Sequence, residues 1–193
     1  MIFNTILITK EFKDTTLLHA CLRRDPPFEI VAKMLTMMMP EDRASALRIQ
    51  DDKGRTPLHI AAACNANPMV IKLLGSTDPT TCTILDEDKR TPLHLACDSS
   101  CNLDQDENNE ITRSKNLQQQ QDSTPSYNVV RVLLSNLLVA LLVEDEDGMN
   151  ALEYAIISNA SLDIVFLLQK ATMISLREQE RLRNSKKQRL MDG

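Results

Sequence analysis

The stretch GRTPLHIAAACNANPMVIKLL, residues 54–74, contains the pattern that decides the fold. Thr56 before Pro57 is typical of a helix start, because the Thr oxygen can accept from free backbone N–H groups and Pro at the first helical position loses no hydrogen bond. The small residues that follow let another helix approach closely. Asn65 tolerates the left-handed conformation that ends a helix. The next residues, PMVIKLL, have the apolar spacing of a second helix.

The same pattern recurs along the chain. TPLHIA at 56–61 returns as TPLHLA at 91–96, which is 35 residues later. TLLHAC at 16–21 keeps the Thr, Leu and His, and NALEYA at 150–155 keeps the Leu and Ala. Nine residues after the start of a run, three copies have a residue that we expect to end the helix in place of Gly. These residues are Asp25, Asn65 and Asn159.

The connector ahead of a run is patterned as well. In three copies an Asp stands five residues before the run, and in two of these a Gly stands two residues before it. The residues are Asp51, Asp86 and Asp145, with Gly54 and Gly148, and Lys89 takes the place of Gly in the third copy. The spacing predicts a tight turn, because Asp bonds its own nearby backbone and Gly supplies a positive φ.

A helix, a turn, a second helix and a connector that recur about every 33 residues resemble the ankyrin repeat. The resemblance implies an all-α, ankyrin-repeat solenoid of about four helix-turn-helix repeats with hairpin-like connectors, plus a charged C-terminal helix. The predicted ankyrin repeat domain spans 1–171, and a charged C-terminal helix or tail spans 172–193. The predicted repeats are 12–45, 52–84, 87–143 and 146–171, with the first and last copies degenerate.

Two segments depart from the repeat. Residues 99–125 are polar, acidic and Gln-rich, which predicts a disordered insertion between the helices of the third repeat. This insertion is either a docking or modification segment or a tolerated surface loop. The first connector is long, so we expect a lengthened helix or an extra loop there. Its Met cluster, residues 34–39, either forms an adaptable exposed patch or packs in the first interface.

Composition restricts the class of protein. The chain has 193 residues and a net charge of −5, which argues against a nucleic-acid surface. Five Cys at irregular spacing predict reduced thiols and a cytoplasmic or nuclear location. The apolar run from Tyr127 to Val143 contains Arg131, Ser135 and Asn136, so it is unsuited to span a bilayer. The apolar N-terminus lacks the charged start of a secretory signal. The basic residues at 186–189 could form a nuclear-import patch.

The chain offers few candidates for chemistry. His19, His59 and His94 share one repeat position, and the resemblance implies that each ties neighbouring repeats together through hydrogen bonds near Thr. A zinc hypothesis from His94, Cys97 and Cys101 lacks a fourth ligand, so we predict no metal and no cofactor. No nucleophile stands beside a free base, and no Gly-rich phosphate loop is present, so we predict no enzyme activity. The predicted structural positions are Thr56, Pro57, His59, Thr91, Pro92, His94 and His19.

The resemblance implies a scaffold that binds another protein through a concave surface of connector tips and first helices. The family's variable surface positions fall on Arg23, Arg24, Asp52, Lys53, Arg55, Ala63, Cys64, Glu87, Asp88, Arg90, Asp98, Glu146, Asp147, Met149, Ile157 and Ser158. These residues form a ridge of mixed charge that is acidic toward the fourth repeat.

From this ridge we expect that reversing Arg55 and Arg90 together weakens partner binding without lowering the melting temperature. We expect a monomer with no nucleic-acid or membrane partner. The alternative is a structural or targeting module in which the Gln-rich loop or the basic C-terminal tail carries recognition. Deleting residues 102–124 would discriminate between the two.

Overall fold

The computed structural model describes residues 16–100, 124–136 and 138–191. Within these ranges the chain is all-helical, with nine α-helices and no strand. The α-helices are α1 (Leu17–Leu22), α2 (Phe28–Met37), α3 (Pro40–Arg48), α4 (Pro57–Ala63), α5 (Pro68–Thr77), α6 (Pro92–Cys97), α7 (Tyr127–Asn136), α8 (Ala151–Ile157) and α9 (Leu162–Met191). Two 3₁₀ helices span Pro79–Thr83 and Leu138–Leu142. The predicted insertion lies outside the described residues except at its ends.

The helices form two stacked rows. In the first row α1 contacts α4, α4 contacts α6, and α6 contacts α8. In the second row α2 contacts α5, α5 contacts α7, and α7 contacts α9. Each of the four repeats contributes one helix to each row. The predicted all-α solenoid of helix-turn-helix repeats is therefore confirmed.

One apolar core runs through all four repeats. It includes Leu22, Leu58, Ile71, Leu93 and Leu168, each with at most 2 % of its surface exposed. No repeat could bury its apolar helix faces alone, and stacking shields the face that each repeat presents to its neighbour. Removal of apolar surface from water is the main force that stabilises the stack.

The long first connector contains a separate helix, α3, rather than a lengthened α2 or an extra loop. Pro40 is the first residue of α3, where its missing N–H costs nothing. The two 3₁₀ helices occupy the corresponding place in the second and third repeats. In the Met cluster, Met38 is buried, whereas Met37 and Met39 are more than half exposed, so the cluster divides between the core and the surface.

The first helices end as the sequence predicts. Asp25, Asn65 and Asn159 have φ of 45°, 50° and 53°, in the left-handed region. Asn and Asp occupy this region more readily than other residues with a Cβ, because their short polar side chains bond locally. Three of the four first helices therefore end at an Asn or Asp in the left-handed region, where Gly is often found.

The last helix passes the predicted domain boundary without a break. α9 contains 30 residues, whereas the equivalent helices α5 and α7 contain 10 each. Its first half holds the buried Ile164 and Leu168, and all described side chains from Leu176 to Ser185 are exposed. The predicted C-terminal helix is thus a continuation of the second helix of the fourth repeat.

Two glycines at equivalent connector positions should respond differently to Ala. Gly54 and Gly148 have φ of 71° and 75°, so either substitution strains the backbone. A Cβ on Gly54 would lie 2.9 Å from the backbone N of Glu87, whereas a Cβ on Gly148 would meet nothing within 4 Å. We expect Gly148→Ala to cost about 1 kcal/mol and Gly54→Ala at least about 1 kcal/mol more. Urea unfolding followed by circular dichroism measures both, and equal losses would contradict the close approach.

Candidate protein-interaction surface

Each connector is folded around one Asp carboxylate. In the second repeat, Asp51 Oδ1 accepts from the backbone N–H groups of Lys53 and Arg55 at 3.0 and 2.9 Å. The Asp51 N–H donates to the Arg55 carbonyl at 2.9 Å and closes the turn. Asp86 and Asp145 make the same set of bonds in the next two connectors. The sequence pattern of Asp five residues before each run is thus the chemical basis of the predicted turn.

The second oxygen of each Asp binds a side chain. Asp51 Oδ2 pairs with the Arg55 guanidinium at 2.9 and 3.0 Å. Burial alone would raise the pKa of Asp51, but the hydrogen bonds and the charge of Arg55 outweigh it, and the pKa is lowered. Asp86 pairs with Arg90 in the same way, at 3.2 Å. Asp51 therefore stays ionised inside its connector.

In the fourth repeat a tyrosine replaces the arginine. Met149 stands at the position of Arg55 and Arg90, and the Tyr154 hydroxyl donates to Asp145 Oδ2 at 2.7 Å instead. The Tyr154 ring also packs edge-on against His94, with ring centroids 5.8 Å apart. Burial and the hydrogen bond to Asp145 both raise the pKa of Tyr154, which keeps its proton available for this bond.

The three histidines lie in matching positions and join successive repeats. In the second repeat, His59 Nδ1 accepts from the Thr56 N–H at 3.0 Å, and the Thr56 hydroxyl lies 2.8 Å from the same nitrogen. Since Nδ1 accepts, Nε2 carries the proton and donates to the Arg90 carbonyl of the next connector at 3.1 Å. His19 reaches the Arg55 carbonyl at 2.9 Å by the same arrangement.

The third histidine links the third repeat to the fourth. His94 Nε2 lies 3.1 Å from the Val143 carbonyl and 3.2 Å from the Met149 carbonyl. Burial lowers the pKa of all three histidines, and that of His59 falls to about 4. Each imidazole is therefore neutral at pH 7, which is the form that its two hydrogen bonds require.

The fourth repeat closes its own helix cap and has no such link. Asn150 Oδ1 accepts from the N–H groups of Leu152 and Glu153 at 3.0 and 3.2 Å, and Glu153 Oε2 accepts from the Asn150 N–H at 2.7 Å. Sequence reasoning missed this reciprocal cap, although Asn followed three residues later by Glu resembles its known signature. Glu153 occupies the position at which the other three repeats have a histidine. Its carboxylate can only accept a hydrogen bond, whereas the histidine Nε2 donates one.

The connector tips bond to one another and present their side chains to solvent. The Glu87 N–H donates to the Lys53 carbonyl at 3.1 Å, and the Glu146 N–H donates to the Asp88 carbonyl at 3.0 Å. These two bonds hold three successive tips in register. The exposed side chains on them are Asp52, Lys53, Glu87, Asp88, Lys89, Glu146 and Asp147.

The structure distributes the other predicted surface residues unevenly. Arg24 and Ile157 are exposed, and Arg23, Ala63, Cys64, Arg90, Asp98, Met149 and Ser158 are partly buried. The expectation that Arg55 lies on the surface is wrong, because it is 5 % exposed and held by Asp51. Arg90 pairs with Asp86, Asp88 and Asp98, so it too is committed within the protein. Partner contact by the remaining residues stays a prediction.

Both ends of the insertion are tied to neighbouring repeats, which sequence reasoning did not predict. The Ser99 N–H donates to the Ser158 hydroxyl at 2.9 Å. At the other end the Ser126 N–H donates to Asn65 Oδ1 at 3.3 Å, and Asn65 Nδ2 donates to the Thr124 carbonyl at 3.4 Å. The ends therefore contact the second and fourth repeats on either side of the third.

Among residues 16–100, 124–136 and 138–191, no three His, Cys, Asp or Glu side chains lie close enough to hold a metal ion. Both ring nitrogens of His94 are engaged in hydrogen bonds, and Cys97 is buried with its pKa raised to about 12. Cys101, the third residue of the zinc hypothesis, lies outside the described residues. In the same part of the chain no helix is both long and apolar enough to cross a bilayer.

Stacked helix pairs joined by histidine links define a helical repeat protein. Residues 17–106 match the family model for ankyrin repeats (3 copies). This match over residues 17–106 supports an ankyrin-repeat protein. A search of the curated proteins found no match. Ankyrin repeats are generally protein–protein interaction modules, and proteins built from them are typically non-enzymatic scaffolds.

Proposed function

We propose that this chain is a non-enzymatic scaffold that binds a partner protein through its connector tips and first helices. The observation that carries the proposal is the pair of bonds between tips, Glu87 to Lys53 and Glu146 to Asp88. Because these bonds hold the backbone of the tips in register, little backbone freedom is lost on binding, and more of the contact energy remains as affinity. The proposed compartment is the cytoplasm or the nucleus.

The charges on the tips favour a partner segment with basic residues. Glu144, Glu146 and Asp147 are all exposed at the fourth connector. The nearest exposed cation among the tips, Lys89, lies 3.8 Å from Glu146 and offsets one of these charges. The second connector tip is mixed, with Asp52 and Lys53. A partner that runs along the tips would therefore place its cationic end on the fourth repeat.

Charge reversal at this end tests the proposal. Once a partner is identified by proximity labelling, we expect Glu146→Lys with Asp147→Lys to raise its Kd at least about tenfold, mainly through slower association. The melting temperature should stay unchanged, because both side chains are exposed. Glu29→Lys on α2 together with Glu41→Lys on α3, both also exposed, is the matched control for net charge. Equal affinities of both variants, measured by calorimetry, would exclude the tips as the binding surface.

Deletion of residues 102–124 addresses the alternative role of the insertion. The deletion leaves Ser99 and Ser126 in place, with their bonds to Ser158 and Asn65. We expect the shortened protein to keep its melting temperature and its affinity for the partner. If the shortened protein kept its fold but lost its affinity for the partner, the insertion rather than the connector tips would carry recognition.

A further inference from the structure

One side of α9 carries four exposed apolar side chains. Leu162, Phe166, Met173 and Leu176 have 72, 63, 53 and 49 % of their surface exposed. With the exposed Gln169 between them, they are spaced alternately by four and three residues. At about 100° per residue this spacing keeps all five within an arc of about 80°. We call these five residues the α9 stripe.

The stripe is not required by the ankyrin stack. The position of Phe166 is occupied in the second and third repeats by Lys72 and Arg131, which are exposed charges. The helix also continues far beyond the length of α5 and α7, so Met173 and Leu176 lie where the other repeats have no second helix. The stripe therefore belongs to the last repeat alone.

A further ankyrin repeat is a poor occupant of this end of the stack. In the first three repeats a histidine Nε2 donates to a carbonyl of the following connector. The fourth repeat has Glu153 at this position, and its carboxylate is bonded to its own cap at Asn150. A following repeat would lack the hydrogen bond that joins every other neighbouring pair.

The α9 stripe is complementary to itself in the antiparallel direction. From Leu162 toward the C-terminus the intervals are four, three, four and three residues, and from Leu176 toward the N-terminus they are three, four, three and four. Gln169 lies at the centre in both directions. Two antiparallel copies would thus place apolar residues opposite apolar residues on both sides of a central pair of Gln169 side chains. Asp163 and Arg177 flank the stripe on the same side near its opposite ends, so each Asp163 would lie near Arg177 of the second copy. A two-fold interface needs such a self-complementary surface.

We propose that the α9 stripe is a homodimer interface in which the α9 helices of two copies pack antiparallel. This differs from the monomer that the sequence analysis expects. The opposite charges of Asp163 and Arg177 favour this direction, because in a parallel pair each Asp163 would lie about 21 Å along the helix axis from Arg177 of the second copy. Dimerisation would leave the connector tips, which lie in another part of each repeat, to carry the proposed partner binding.

The mass in solution tests the interface. Sedimentation equilibrium should give twice 21.8 kDa for the full chain. Phe166→Lys, which copies Lys72 of the second repeat, should raise the dimer dissociation constant at least about 100-fold, since two Phe side chains lose their burial. Ile30→Lys, at a residue on α2 with 50 % exposure, is the matched control and should remain dimeric. A monomeric wild type at about 100 μM, or a dimer unaffected by Phe166→Lys, would overturn the proposal.

Crosslinking tests the direction of packing. Gln169→Cys places a thiol at the centre of the stripe, so an antiparallel pair should form a disulfide-linked dimer on mild oxidation, above the wild-type background. In Leu162→Cys the two thiols would lie about 21 Å apart along the helix axis, and the link should be absent. Equally strong links in both variants would overturn the antiparallel arrangement. Asp163→Lys should weaken the dimer, and the added change Arg177→Asp should restore it.

Discussion

Replacing Arg55 by Glu is expected to lower the free energy of unfolding by about 3–5 kcal/mol, because it breaks a buried ion pair and leaves Asp51 facing a second carboxylate. The side chains of Arg55 and Asp51 are 7 % and 0 % exposed, so water offsets little of the loss. Urea unfolding followed by circular dichroism measures the change. From the sequence we expect that reversing Arg55 and Arg90 together leaves the melting temperature unchanged, whereas the buried pair of Arg55 with Asp51 predicts a loss of stability.

Two matched variants show whether burial is the cause. Arg90→Glu breaks the equivalent pair with Asp86, but the Arg90 side chain is 20 % exposed, so we expect a smaller loss. Lys53→Glu changes the same charge on an exposed tip and should stay within about 0.5 kcal/mol of the wild type. If Lys53→Glu destabilised the protein as much as Arg55→Glu, net charge rather than the buried pair would be responsible.

Acidification is expected to destabilise the protein well before its carboxylates titrate. Unfolded His59 takes up a proton near pH 6.5, whereas the folded form does so only near pH 4, because burial opposes the charged form. Between these values the unfolded state binds more protons, so stability is full above pH 6.5 and is lost as the pH falls. For His59 alone the loss between about pH 7.5 and about pH 5 is about 2 kcal/mol.

The other two histidines change stability in the same direction, because burial also lowers the pKa of His19 and His94. Urea unfolding at several pH values down to about pH 5 measures the total slope. This range stays clear of Asp51, whose lowered pKa gives stability that is lost only below the ordinary range of Asp. His59→Gln should be less stable at pH 7 and show a shallower slope. An unchanged slope in that variant would mean that His59 is not the group that titrates.

The repeat was predictable from sequence because its signals are local. Thr and Pro start the helices, Asn65 and its equivalents end them, and Asp51 and its equivalents fold the connectors, each through bonds to backbone a few residues away. These bonds depend on residue type and spacing, which a sequence displays. The same reasoning identified the three histidines as members of one repeat position.

The surface was predicted less well because exposure depends on neighbouring repeats. Arg55 lies between two exposed tip residues and the start of a helix. The sequence around it does not indicate that its side chain is buried in an ion pair with Asp51. The hydrogen bond from Tyr154 to Asp145 joins residues nine apart. It occurs in the repeat that has Met149 in place of the Arg, so the repeat pattern does not predict it. The separate helix α3 begins at Pro40. The length of this connector predicted a lengthened helix or an extra loop, but not a separate helix.

The hydrogen bonds that join the repeats are accepted by main-chain carbonyls, which every residue has whatever its side chain. Each histidine donates to a main-chain carbonyl, and the acceptors belong to Arg55 in one joint, Arg90 in the next, and Val143 and Met149 in the last. The hydrogen bond of the joint itself therefore does not depend on which side chain stands at the accepting residue. A repeat that carries this histidine can therefore be joined to a following connector of any sequence, and a change of sequence in that connector leaves the acceptor in place.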